Sequence, residues 1–145
     1  RILDDLLLML QTLLGESGVT VEVSIAPNLP VLRADFVQLQ QVMLNLVVNA
    51  VDAMRDPAVN TRILTILVTA SVSEGAVFRF SDTGLGITPA MQEKIFDALF
   101  STKRDGLGMG LAISRSIIEN HGGWLRLETM VDPGAHFVFN IPNSQ

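Results

Sequence analysis

Leu64-Thr65-Ile66-Leu67-Val68-Thr69-Ala70 and Ala76-Val77-Phe78-Arg79-Phe80 lie on either side of a short stretch ending in Glu74-Gly75. Both runs are rich in β-branched and aromatic residues, and a turn through Glu74-Gly75 makes them antiparallel neighbours. A doubly wound parallel sheet needs a helical crossover between successive strands, so this hairpin argues against one. Trp124 to Met130 and His136 to Ile141 read as a second strand pair. Toward the N-terminus, Val19, Val21, Val23 and Ile25 alternate with Thr20, Glu22 and Ser24, the pattern of a half-buried strand, until Pro27 and Pro30 break it.

Helical segments separate these strands. Arg1 to Leu14 reads as an amphipathic helix, punctuated by Gly15 and Gly18. Asp35 is placed to cap a helix that runs to about Met54, with Leu39, Val42, Met43, Leu46, Val47 and Ala50 at helical spacing. Thr88-Pro89 opens a short helix to about Phe96, and Leu111 to Asn120 forms another, closed by Gly122-Gly123. Strands in pairs with helices between them predict an α+β, two-layer sandwich, in one domain over residues 1–145.

Composition narrows the function. Apolar residues make up 48% of the chain and charged residues 17%, a balance that builds a core. A formal net charge of -5 disfavours tracking of nucleic-acid backbones, so any phosphate must be held by local amides and a few placed cations. With no cysteine, disulfides and thiolate metal sites are excluded, which suits the cytoplasm. The longest apolar run, Ile63 to Ala70, is too short to span a bilayer. Because the chain begins at Arg1 without an initiator Met, it reads as a fragment of something longer.

Three polar patterns stand out. Asn45, Asn49 and Asp52 share one face of an otherwise apolar helical stretch. Carboxamide oxygens there suit a Mg²⁺ already bound by substrate phosphates, although a polar face meeting water explains the same row. Asp82-Thr83-Gly84-Leu85-Gly86-Ile87 follows a strand; its glycines allow close approach of a ligand, and the Asp82 carboxylate can accept a hydrogen bond from an exocyclic amine. An ordinary turn has the same composition. Gly106-Leu107-Gly108-Met109-Gly110-Leu111 opens a helix with amides placed for phosphate, and Lys103 and Arg104 lie just upstream. It is neither a dinucleotide fingerprint nor a P-loop. His121, at a helix C-terminus where a cation is favoured, and His136, on a strand, read as structural; neither is followed by the acidic residue expected of a phosphoacceptor.

In this order the patterns resemble the catalytic, ATP-binding domain of sensor histidine kinases, a branch of the ATPase family that includes gyrase B, Hsp90 and MutL. Leu39 to Ala53 resembles its N box, Asp82 to Ile87 its G1 box, Ile95 to Lys103 its F box and Gly106 to Leu111 its G2 box; Gly134-Ala135-His136-Phe137 through Ile141-Pro142 resembles its closing strand. The resemblance implies a mixed sheet of about five strands with helices on one face. It implies that Asn49 holds Mg²⁺, that Asp82 accepts the adenine amine, and that Gly84, Gly86 and Ile87 shape the adenine pocket. Asn45, Ala50, Asp52 and Ala53 would line the site from the helix. Thr102, Lys103, Gly106, Leu107, Gly108, Met109, Gly110 and Leu111 would meet the phosphates from a flexible lid.

Asn45 stands where the gyrase and Hsp90 branch has a water-activating glutamate. An amide is not a general base, which points to the kinase branch. The implied reaction transfers the γ-phosphoryl of ATP to a histidine on a separate helical hairpin of the parent kinase, with Asn45, Asn49 and Lys103 as the catalytic set and a response regulator downstream. The implied assembly is a monomeric isolated domain within a homodimeric parent, cytoplasmic even where the parent is membrane-anchored. The alternatives are an ATP hydrolase or serine kinase of the same fold, or a non-catalytic ATP-sensing module. Ala98 replaces a frequent proline of the F box, and Ala135-His136 replaces a frequent hydroxyl pair.

Overall fold

A computed structural model describes residues 8, 15, 18–30, 32–87, 89–92, 94–96, 110–128 and 134–143. The strands are β1 (Thr20–Ile25), β2 (Ile63–Ser71), β3 (Gly75–Asp82), β4 (Leu125–Glu128) and β5 (His136–Ile141). The helices are α1 (Phe36–Ala53), α2 (Pro89–Gln92) and α3 (Gly110–Asn120). Most of the N-terminal segment expected to be an amphipathic helix and all of 97–109, including the lid expected over Leu99 to Gly108, lie outside the described residues. Gly15 is still helical, whereas Gly18 sits in a turn at φ 74°.

One five-stranded sheet has the order β1-β2-β3-β5-β4. β1 pairs parallel to β2, with α1 as the crossover, and the other neighbours are antiparallel. The hairpin between β2 and β3 forms as expected. Gly75 permits it: at φ 84° a Cβ would stand 2.2 Å from the Ile141 carbonyl oxygen, so a side chain is excluded by both torsion and space.

Asp35 starts α1, its carboxylate accepting from the Gln38 amide at 2.9 Å. The buried stripe Leu39, Val42, Met43, Leu46, Val47 and Ala50 then faces the sheet. Leu64, Ile66 and Val68 on β2, Phe78 and Phe80 on β3, Leu125 on β4, and Phe137, Phe139 and Ile141 on β5 join the same core as the α1 stripe and Ile117 and Ile118 of α3. Phe78 stacks on Phe139 with ring centroids 4.6 Å apart. The opposite face carries a charged ladder, in which Arg79 and Arg126 both pair with Glu128 and Arg126 lies over the Trp124 ring. The helix expected from Thr88 to Phe96 shortens to α2, with turn at 94–96.

Buried Asn140 secures the end of the sheet beside the β2–β3 turn. Its side chain accepts from the Trp124 amide at 2.8 Å and donates to the Glu74 carbonyl at 2.7 Å. Trp124 Nε1 donates to the Glu74 carboxylate at 2.6 Å. Both ends of this buried amide are therefore satisfied. Among the described residues no helix is long and apolar enough to cross a membrane.

Candidate functional site

The other end of the sheet gathers the polar patterns. β3 delivers Asp82 to its C-terminal end, where the residue is 5% exposed. Asp82 Oδ1 accepts from the Gly84 amide at 2.8 Å and the Ala135 amide at 3.3 Å. Oδ2 accepts no hydrogen bond from the described residues. Burial pushes the carboxyl above the usual carboxylate range; the Gly84 and Ala135 amides, and then His136, pull it partly back. A buried acceptor with one fixed oxygen and one unused oxygen is suited to reading a donor on a ligand.

Glycines let the surrounding backbones close around it. A Cβ on Gly134, at φ 96°, would stand 1.9 Å from the Asp82 carbonyl oxygen. One on Gly84 would stand 2.7 Å from the Ala53 carbonyl, and one on Gly86, at φ 83°, 3.2 Å from that of Gly134. The turn after β3 is thus pressed between the C-terminus of α1 and the approach to β5. Thr83 pins it further, donating to the Thr61 carbonyl at 2.5 Å and accepting from the Ile63 amide at 3.0 Å. Ile87 packs against the core, and Leu85 is 63% exposed.

Asn45 and Asn49 are half-buried on successive turns of α1, followed by buried Ala50 and half-buried Asp52 and Ala53. Asp52 pairs with Arg55 at 3.3 Å. The Asn45 amide is committed to α3: Nδ2 lies 3.2 Å from the Gly110 carbonyl and 3.0 Å from Ser114 Oγ. Asn45 therefore acts as a latch between the two helices, and its side chain offers no general base. Gly110 opens α3 one residue earlier than the sequence suggests, and Leu111 packs against the core. Thr102, Lys103, Gly106, Leu107, Gly108 and Met109 lie outside the described residues.

The glycine-flanked Asp82, the α1 row and the start of α3 converge in space although they are far apart in the chain. Residues 34–145 match the family described as histidine kinase-, DNA gyrase B-, and HSP90-like ATPases. The chain belongs to that family. Among ATPases of this kind it is similar to the sensor protein TdiS of Thauera aromatica, 36% identical over 143 residues, 98% of this chain and 26% of that protein. It spans about a quarter of that relative's length. It is also similar to the catalytic domain of histidine kinase ThkA in a nucleotide-free form, with a TM-score of 0.84 and 26% identity over 98% of this chain and 90% of that one. Full-length ShkA in complex with AMPPNP superposes with a TM-score of 0.83 at 28% identity, over 97% of this chain and 29% of that one.

Ser114 and Thr83 are the polar site residues that sequence reasoning did not single out. Ser114 is fully buried in a helix whose neighbours Ile117 and Ile118 are core, and a hydroxyl among core positions signals an internal hydrogen bond. Thr83 sits inside the recognised turn, but its partners come from the distant α1–β2 connection. Among the described residues no group of three or more His, Cys, Asp or Glu could hold a metal ion.

Proposed function

We propose that this chain is the ATP-binding catalytic domain of a sensor histidine kinase, which passes the γ-phosphoryl of ATP to a histidine on a separate helical hairpin of its parent. The observation that carries the reading is buried Asp82, whose Oδ1 is fixed by two amides while Oδ2 remains available to the adenine amine. The nucleotide would extend from Asp82 and the Gly84–Ile87 turn along α1 toward Gly110 and the start of α3. Lys103 and the glycines from Gly106 onward would neutralise and hold the phosphates.

Asn49, a neutral oxygen donor on a half-buried helix face, fits a Mg²⁺ that arrives with the triphosphate, since phosphate oxygens and water complete its shell. That ion would screen charge between phosphates. This chain's own residues orient the γ-phosphoryl and shield it from water. Asn45, bound to Gly110 and Ser114, has no proton-accepting group for water activation, which favours the kinase over a hydrolase. A response regulator receiver domain would take the phosphoryl from the hairpin; ThkA has been solved in complex with response regulator protein TrrA. The domain would act in the cytoplasm, as a monomer when isolated and within a homodimeric parent.

Incubation with labelled ATP tests the reading. No acid-labile label should form on this chain alone, and label should appear on the parent's hairpin when that is added. Asn49→Ala should abolish transfer. Label on this chain that disappears in a His121 or His136 variant would refute the assignment, as would rapid ATP hydrolysis without any acceptor.

A further inference from the structure

We propose that His121 is a positioning residue for the phosphate end of the nucleotide site, acting through α3; this role rests on the nucleotide-binding reading above. The imidazole follows directly on α3 and joins it to the start of α1. Nε2 accepts from the Asp35 backbone amide at 2.9 Å, and Nδ1 lies 2.8 Å from the Ile117 carbonyl. With Nε2 accepting, Nδ1 is the ring nitrogen placed to donate to that carbonyl. A cation would gain from the dipole at this helix end, so accepting a hydrogen bond here marks a specific bridge rather than a generic cap.

The bridge matters because of where α3 begins. At its opposite end Asn45 holds Gly110 and Ser114, so α3 is tied to α1 by polar contacts at both ends. The helix has 11 residues, a rod of roughly 16 Å at 1.5 Å per residue. Buried Ile117 and Ile118 give it an apolar seat, but such packing is non-directional. The two polar ties set where along α1 it comes to rest. Gly110, the last glycine of the phosphate-binding stretch, moves with the rod. Asp82 belongs to β3 and does not.

The role therefore separates two parts of nucleotide affinity. Weakening the His121 bridge should reduce binding of AMPPNP, whose phosphates meet the α3 end, and leave adenosine binding unchanged. The comparison of His121→Gln with His121→Asn isolates the acceptor. Gln places an amide oxygen near the Nε2 position, whereas Asn keeps a donor near Nδ1 and is too short to reach the Asp35 amide. Calorimetry on the 145-residue chain with AMPPNP and with adenosine, together with thermal melting of each variant, provides the readouts.

His121→Asn and His121→Ala should bind AMPPNP about two- to tenfold more weakly, the net scale of one intramolecular hydrogen bond made by the exposed Asp35 amide. His121→Gln should recover most of that loss. Equal AMPPNP affinity in the Gln and Asn variants would overturn the proposal, as would a fall in melting temperature with unchanged affinity. Parallel loss of AMPPNP and adenosine would also overturn it, because the effect would then be a general loosening. Should His121→Ala fail to fold, the Gln–Asn comparison alone decides. Wild-type protein that binds neither ligand would instead refute the nucleotide-binding reading on which the role rests.

Discussion

Asp82→Asn should separate ligand recognition from stability. Oδ1 already accepts from the Gly84 and Ala135 amides, so an asparagine must keep its oxygen there. Its NH₂ group then occupies the Oδ2 position and presents a donor to the adenine amine, itself a donor. A hydrogen bond to a charged acceptor contributes about 1.5–3 kcal/mol, so losing it should weaken ATP binding about tenfold to a hundredfold. The fold should not suffer. Burial raises the Asp82 pKa, so the carboxylate form costs stability at neutral pH, and that cost is absent below the unfolded pKa. Neutral asparagine removes the cost, and the melting temperature should stay level or rise. Guanine nucleotides, which offer a carbonyl where adenine has an amine, should lose less than ATP. Titration calorimetry beside thermal unfolding measures both quantities. Unchanged ATP affinity would refute the adenine-reading role, and a melting temperature several degrees lower would refute the account of the carboxyl's burial.

Acidification should weaken nucleotide binding from a pH above the ordinary aspartate range, since a protonated Asp82 loses its acceptor character, and Asp82→Asn should flatten that limb of the profile. Gly134→Ala should cost about 2–4 kcal/mol in denaturant unfolding, because its Cβ would overlap the Asp82 carbonyl at a left-handed φ; a wild-type midpoint would contradict the packing described. Asn45→Asp removes the donor to Gly110 and Ser114 and sets a carboxylate against a carbonyl, so it should lower stability by about 1–3 kcal/mol without creating fast ATP hydrolysis. In Asn49→Ala the Mg²⁺-dependent share of ATP affinity should vanish, so affinities compared with and without Mg²⁺ should converge; a persisting difference would exclude Asn49 as the metal's protein ligand.

The sequence by itself determined the elements and their class. Alternation in β1, the helical period of the α1 stripe and the Glu74-Gly75 turn are local signals, and β1, α1, β2, β3, α3 and β5 formed within a residue or two of their expected places; the helix expected over Arg1 to Leu14 lies largely outside the described residues. The exception is α2, shorter than the Thr88-Pro89 start suggested, with turn at 94–96. The Asp82 turn and the α1 row were likewise legible as short spacings of particular residue types. Tertiary structure decided what those residues touch. Strand order β1-β2-β3-β5-β4 could not be read from periodicity, which fixes the faces of a strand but not its neighbours. Asn45 was legible as a polar residue on the α1 row, whereas its contacts with Gly110 and Ser114, 65 and 69 residues away, were not. His121 was legible as a residue at a helix end, whereas the Asp35 amide that donates to its Nε2, 86 residues distant, was not. Local spacing carries propensity and facing; a hydrogen bond between distant segments exists only once packing has fixed both helices to within the few tenths of an ångström that such a bond tolerates.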